Sequence, residues 1–288
     1  MADSRTNSEL KLRTISSFFV ALIVIFGIYQ GGLIWTVMAS LIALISLSEF
    51  YGMIANSHEH ELERERNRER RKVSVLSPGI GYIFSLIILL AAMKSARPIF
   101  IALVLSLEVF AVFVLEIFKR QFSKGESYAV INAGGIILGV LYIAIPWACM
   151  ILRRDYLLGR EILFTLFACT WACDVFAYLG GKALGRNKLC VYVSPGKTWE
   201  GFVVGILGSL IVSAVAVYMF KLPNYMIYIG IICGVAGQFG DLAESLIKRE
   251  LAVKDSGHLI PGHGGMLDRF DSILINGLLT YLVLEVVL

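Results

Sequence analysis

No two of the five cysteines, at 149, 169, 173, 190 and 233, are spaced as CxxC. Neither a disulfide framework nor a thiol-ligated metal is indicated. Four of them lie in apolar runs, where free cysteine packs as a small apolar side chain, and Cys190 falls in a short loop. A large excess of one charge is also missing. The net charge is +4, and the basic residues are spread among loops, which speaks against a nucleic-acid partner and suits a neighbour of anionic lipid headgroups. No internal repeat is found, so the inverted-repeat pattern of many transporters is absent. The N-terminus, MADSRTNSELKLRTISSFFV, has a basic flank before an apolar run but no small-residue cleavage site. It reads as an uncleaved first helix rather than a signal peptide.

Long apolar runs are what the chain has in abundance. Hydrophobic residues make up 57% of the 288, and the mean hydropathy is +0.75, against about 45–50% apolar residues in an average soluble domain. Runs near the ~20 residues needed to cross a bilayer alternate with short charged clusters. Backbone polar groups in lipid must be paired within the protein. These runs are too continuous for the alternating strands of a barrel.

The expected fold is therefore an all-α, polytopic transmembrane bundle of about nine helices, near 14–29, 33–54, 75–93, 98–118, 129–152, 161–181, 200–220, 225–247 and 270–287. The first is short for a span. With a cytoplasmic N-terminus and nine crossings, 20 of the 26 basic residues fall on the inside and 6 on the outside, as the positive-inside rule favours. The run HEHELERERNRERRK (58–72) reads as a solvated helical extension or loop; His58 and His60 with Glu59 and Glu61 are the other reading, a metal site. The first half looks bland, built from Leu, Ile, Val, Phe and Ala. Residues 1–160 are expected to form a helical scaffold that can contact a second copy as a homodimer, and 161–288 a catalytic region with a polar cleft.

Three polar segments stand out. In TWACDVFAYLGGKALGRN (170–187), Asp174 lies within or near the end of an apolar span, where a carboxylate costs about 2.5–3.5 kcal/mol on insertion scales. It is a functional candidate or a residue bonded to a neighbouring helix. Asp174 and Tyr178 share a helix face, and Gly180, Gly181 and Gly185 allow a tight turn or close approach to a ligand. In SPGKTWEG (194–201), Ser194 or Thr198 can cap a helix, with Pro195 in the turn before it. With Lys197, a hydroxyl and a nearby glycine, that helix start is a plausible phosphate cradle, although the segment lacks the GxxxxGK[ST] spacing of a P-loop.

The third segment, GQFGDLAESLIKRELAVKDSGHLIPGHGGMLDRFDS (237–272), is the most informative. Asp241, Ser245 and Lys248 share one helical face, with Glu244 at i+3. Asp268 and Asp271 follow at i, i+3 on the last helix. Three carboxylates near Lys248, Lys254 and Arg269 suit Mg²⁺ and a polyphosphate, because Mg²⁺ takes one or two carboxylates with phosphate oxygens and water. His263, in PGHGG, either donates to a phosphate or organises the loop.

From Ser245 to Asp271 the sequence SLIKRELAVKDSGHLIPGHGGMLDRFD resembles the signature of the phosphatidate cytidylyltransferase, or CDP-diacylglycerol synthase, family: Ser, then Lys-Arg, Lys-Asp, His-Gly-Gly and Asp-Arg-x-Asp, in register over 27 residues. CDVFAYLGGKALG and SPGKTWEG resemble the family's other polar patches, so the likeness covers roughly 165–288. Gly196 departs from it, where many members carry a basic residue.

The resemblance implies that CTP and phosphatidic acid give CDP-diacylglycerol and pyrophosphate, at a bacterial inner membrane with the site facing the cytoplasm. It implies Mg²⁺, with a second cation of unassigned identity. The metal would be held by Asp241 and Asp268, with Asp271 as a third ligand or behind them. Lys197, Lys248, Arg249 and Arg269 would contact phosphates, and Lys254 and Asp255 would shape the loop over the nucleotide. Ser194, Thr198 and His263 would donate hydrogen bonds. Ser245, Glu200 and Asp174 complete the expected substrate-binding set. A transferase acting on another membrane lipid phosphate and a cation-coupled transporter are the rival readings.

Overall fold

The computed structural model describes residues 2–66, 78–95, 97–122, 129–260 and 264–287, with side chains over 16–56, 78–95, 97–122, 129–260 and 264–286. Among the described residues nine helices follow one another: α1 Ala2–Gln30, α2 Gly32–Arg66, α3 Gly79–Met93, α4 Pro98–Phe122, α5 Ala129–Arg154, α6 Gly159–Leu184, α7 Trp199–Phe220, α8 Ile227–Glu250 and α9 Leu267–Val287. The expected helical bundle is thus the observed one. Six helices are long and apolar enough to cross a membrane: α2, α4, α5, α6, α7 and α8. The apolar part of α1, Ser16–Gln30, and the whole of α3 are shorter. The backbone of α2 stays helical to Arg66, while the side chains expected to be solvated at 58–72, His58 and His60 included, lie outside the described residues.

One feature departs from an all-helical reading. Lys188–Cys190 and Ser194–Thr198 form a two-stranded antiparallel ribbon, β1 and β2. Pro195 therefore lies in a strand rather than in a turn. The expected cap is present: the Thr198 Oγ1 accepts from the Gly201 N–H at 3.1 Å, satisfying one of the donors that every helix start leaves unpaired.

Helix α5 widens to a π turn at Val140–Ala144, just before Pro146. Proline has no N–H for the carbonyl four residues back, and a π turn is one of the local adjustments by which a helix accommodates that loss.

Small residues bring α6, α7 and α8 together. A Cβ on Gly201 would sit 2.7 Å from the Ala177 carbonyl oxygen, and one on Gly180 2.6 Å from the Val204 Cβ. The glycines of 180–185 thus serve close helix packing as well as the site, the usual means of association in lipid. Hydrogen bonds add to it: Ser209 Oγ donates to the Gly230 carbonyl at 2.8 Å, and Asn276 Nδ2 to Thr170 Oγ1 at 2.9 Å. An aromatic chain joins the two halves of the protein. Trp35 of α2 meets Trp147 of α5 and Phe167 of α6 at centroid distances of 6.3 and 6.5 Å, and Trp147 meets Phe270 of α9 at 5.3 Å. This core ties α2, α5 and α6 to the start of α9.

Candidate active site

Two cavities adjoin there. One, of about 560 Å³, is walled by Asp174, Asp241, Lys248, Asp268, Arg269 and Asp271, with Ser17, Val20 and Ala21 of α1 on its far side. Asp255 also reaches it. The other, of about 450 Å³, is walled by Asp174, Tyr178, Lys182, Ser194, Lys197 and Thr198. Asp174 and Asp241 belong to both.

The boundary between the cavities is an ion pair. Lys197 Nζ of β2 lies 2.8 Å from Asp241 Oδ2 of α8 and donates to the Gln238 carbonyl at 3.1 Å. Ser245, one turn below on the same face, donates to Asp241 Oδ1 at 3.3 Å. The β ribbon delivers Lys197, and its own placement is fixed from both ends. Glu200 accepts from the Asn187 backbone N–H and side chain, at 3.1 and 2.9 Å. Arg249 donates to the Val193 carbonyl at 3.3 Å.

On the other side Lys248 is held between two carboxylates, 2.6 Å from Asp268 Oδ1 and 3.2 Å from Glu244 Oε2. Glu244 is buried. Asp268 is the most heavily bonded acid of the site. Besides Lys248, its Oδ2 accepts from the backbone N–H groups of Ser256 and Gly265, at 2.9 and 2.7 Å, and from Ser256 Oγ at 3.0 Å. The glycines of the loop allow this closeness. Gly264 has φ +82°, and a Cβ there would come 2.6 Å from Asp268 Oδ2, so glycine is required on both counts. A Cβ on Gly265 would overlap Ser256 Oγ.

The structure thus brings Asp174, Ser194, Lys197, Thr198, Asp241, Lys248, Asp255, Asp268, Arg269 and Asp271 to the two cavities, with Ser245 behind Asp241. Glu200 and Arg249 instead hold the ribbon, and Lys254 is exposed and lines neither cavity. His263 lies outside the described residues.

Sequence reasoning missed the contribution of the first half. Glu49 of α2 reaches the signature loop, and its two oxygens accept from the N–H groups of Met266 and Leu267 at 2.8 Å each. The first half is not bland: Glu49 is half-buried, and Glu108 and Glu116 of α4 are fully buried, the latter bonded to Lys119 and Asn132. An acidic residue inside an apolar run was the signal.

No three carboxylate, histidine or cysteine side chains among the described residues form a metal-binding group. A hard cation fits the site nonetheless. Mg²⁺ needs only one or two carboxylates when substrate phosphates and water complete its shell, and Asp174, Asp241 and Asp271 all face one cavity.

The bundle and its paired cavities define a polytopic helical membrane protein with a carboxylate- and cation-lined site of the kind that handles phosphates. The chain matches the model of the cytidylyltransferase family over residues 11–287, and it belongs to that family. It is 32% identical over 268 residues to a phosphatidate cytidylyltransferase of Staphylococcus aureus strain COL, covering 92% of this chain and 95% of that protein. It is similar to the proteins of the same name from Staphylococcus haemolyticus, at 32%, and Staphylococcus epidermidis, at 33%, with the same coverage.

Proposed function

We propose that this protein transfers the cytidylyl group of CTP to phosphatidic acid, releasing pyrophosphate and leaving CDP-diacylglycerol in the membrane. The observation that carries this reading is the meeting of the Asp-Arg-x-Asp acids and arginine with Asp241, Lys248 and Asp174 in one cavity of about 560 Å³, with Ser17, Val20 and Ala21 of α1 in its wall.

A phosphate oxygen of phosphatidic acid attacks the α-phosphorus of CTP. The new bond is oxygen to α-phosphorus, and the bond between α-phosphorus and its bridging oxygen to the β-phosphate breaks. The nucleophile is already ionised near neutral pH, so no strong base is required. The barrier lies in bringing two anions together and in the charge gathering on the departing pyrophosphate, which positioning and fixed cations address.

Lys197 and Arg269 hold phosphate oxygens on the two sides of Asp241. Ser194 and Thr198, with Lys182 nearby, line the smaller cavity and bind the remaining polar groups of substrate. Lys248 has its charge balanced by its acidic partners and orients Asp268, which in turn holds the Ser256 and Gly265 backbone N–H groups beside the site. Asp241 and Asp271, with Asp174 beside them, would hold Mg²⁺. When bound, the ion supplies a Lewis acid that draws charge off the phosphate oxygens. Asp268 already accepts from Lys248, from the Ser256 and Gly265 N–H groups and, shared with Glu49, from the Ser256 hydroxyl, and keeps the frame around it.

With a cytoplasmic N-terminus and nine crossings, 20 of the 26 basic residues fall on the inside, which supports a site that faces the cytoplasm of a bacterial inner membrane, where CTP arrives from water while the acyl chains remain in lipid. The test uses purified protein in micelles with radiolabelled CTP, phosphatidic acid and Mg²⁺. Label passing into lipid, with pyrophosphate released only when all three are present, is expected. CTP use independent of phosphatidic acid, or transfer to another lipid phosphate in preference, overturns the reading.

A further inference from the structure

Glu49 lies in α2, inside the apolar span Gly32–Asn56. A carboxylate there is costly unless every lone pair is used, and Glu49 uses its lone pairs on the signature loop. Its Oε1 accepts from the Met266 N–H and its Oε2 from the Leu267 N–H; a third contact, Ser256 Oγ at 3.2 Å from Oε2, carries one hydroxyl proton that Glu49 and Asp268 share. The first two are donors at the start of α9 that the helix itself leaves unpaired. The third joins Glu49 to the site: the same Ser256 hydroxyl lies 3.0 Å from Asp268 Oδ2, and Asp268 holds Lys248. The loop is shaped to admit this carboxylate. A Cβ on Gly257 would sit 2.7 Å from Glu49 Oε1, and one on Gly265 2.6 Å from Oε2.

We propose that Glu49 is a positioning residue for cytidylyl transfer, acting from the first half of the chain through Ser256 to set Asp268 and the start of α9, and thereby the direction in which Arg269 and Asp271 face the cavity. The proposal rests on the function given above. A glutamine cannot replace Glu49, because its amide N–H groups would meet the donors of Met266 or Leu267 (whichever oxygen is exchanged). An aspartate keeps the charge but is one methylene shorter.

The experiment measures turnover per folded molecule for wild type, Glu49→Gln, Glu49→Asp and Ser256→Ala, each purified in micelles, with the melting midpoint recorded alongside. Glu49→Gln is expected to lower kcat about 10- to 100-fold, the usual range for partners that orient site ligands, with KM for phosphatidic acid within about twofold. Glu49→Asp is expected to recover part of that loss. Ser256→Ala is expected to lower kcat less, and the double variant to fall no further than Glu49→Gln alone, as coupled residues do. A lowered midpoint with unchanged kcat would make Glu49 a helix cap only and overturn the proposal, as would independent, multiplying effects of the two substitutions. If Glu49→Gln does not fold, Ser256→Ala decides: wild-type kcat overturns the relay, and reduced kcat at an unchanged midpoint supports it. A wild-type protein that makes no lipid product removes the function itself; an active wild type matched by Glu49→Gln removes only the role of Glu49.

Discussion

Replacing Asp268 by asparagine keeps the shape of the side chain and removes its charge. The acid serves donors on both faces: Lys248 at Oδ1, and Ser256 N, Ser256 Oγ and Gly265 N at Oδ2. An amide can accept on one face only, and its NH₂ must then confront donors on the other. If the oxygen stays with the loop, Lys248 loses a 2.6 Å partner in a pair whose side chains are 13% and 5% exposed. Removing one member of a buried pair costs about 3–5 kcal/mol. Glu244 remains beside Lys248 and absorbs part of this, so about 3 kcal/mol of stability is the working figure, while losing a partner that orients site groups costs about 10- to 100-fold in activity. The assay is transfer of label from CTP into lipid across a Mg²⁺ series. The expected result for Asp268→Asn is a kcat/KM about 10- to 100-fold lower at every Mg²⁺ concentration. Near wild-type turnover would refute the framing role. Recovery at high Mg²⁺ would instead make Asp268 a direct cation ligand.

Asp241→Asn and Asp271→Asn should behave differently, shifting the Mg²⁺ needed for half-maximal turnover upward by about tenfold or more, consistent with loss of one ligand; an unchanged Mg²⁺ curve counts against both. Lys197→Ala should lower kcat/KM for CTP about 10- to 100-fold, the order of one lost charge-assisted phosphate contact of about 1.5–3 kcal/mol, and unaltered CTP kinetics would remove it from the phosphate set. Gly196→Ala should leave the melting midpoint unchanged, since nothing lies within 4 Å of a Cβ there, whereas Gly201→Ala should lower it, because its Cβ would press on the Ala177 carbonyl at 2.7 Å. Equal midpoints for the two variants would contradict the described packing of α6 on α7.

Hydropathy alone gave the helices, since lipid leaves a single chain few ways to satisfy its backbone. The acids of α8 and α9 were legible from helical spacing, and Lys248 and Asp268 do meet at 2.6 Å. What spacing could not show was which acids are consumed by the protein itself. Asp268 and Asp271 look equivalent at i, i+3, yet four donors reach one of them because a glycine-rich loop folds back on it. Glu200 and Arg249, both adjacent to phosphate-binding candidates, turn to the ribbon instead. That ribbon was invisible because its strands have 3 and 5 residues, too short to display alternation. Glu49 was visible as an acid inside an apolar run, but its partners, backbone N–H groups more than two hundred residues away, leave no trace in local pattern.

The apolar stretch of α1, Ser16–Gln30, rises about 22 Å at about 1.5 Å per residue, well short of a hydrocarbon layer of about 30 Å. Such a mismatch is relieved by local thinning of the bilayer or by a shift of the helix. Ser17, Val20 and Ala21 on that stretch form one side of the larger cavity. A helix too short by itself to cross the bilayer thus supplies part of the wall of the cavity in which the charged side chains of α6, α8 and α9 meet.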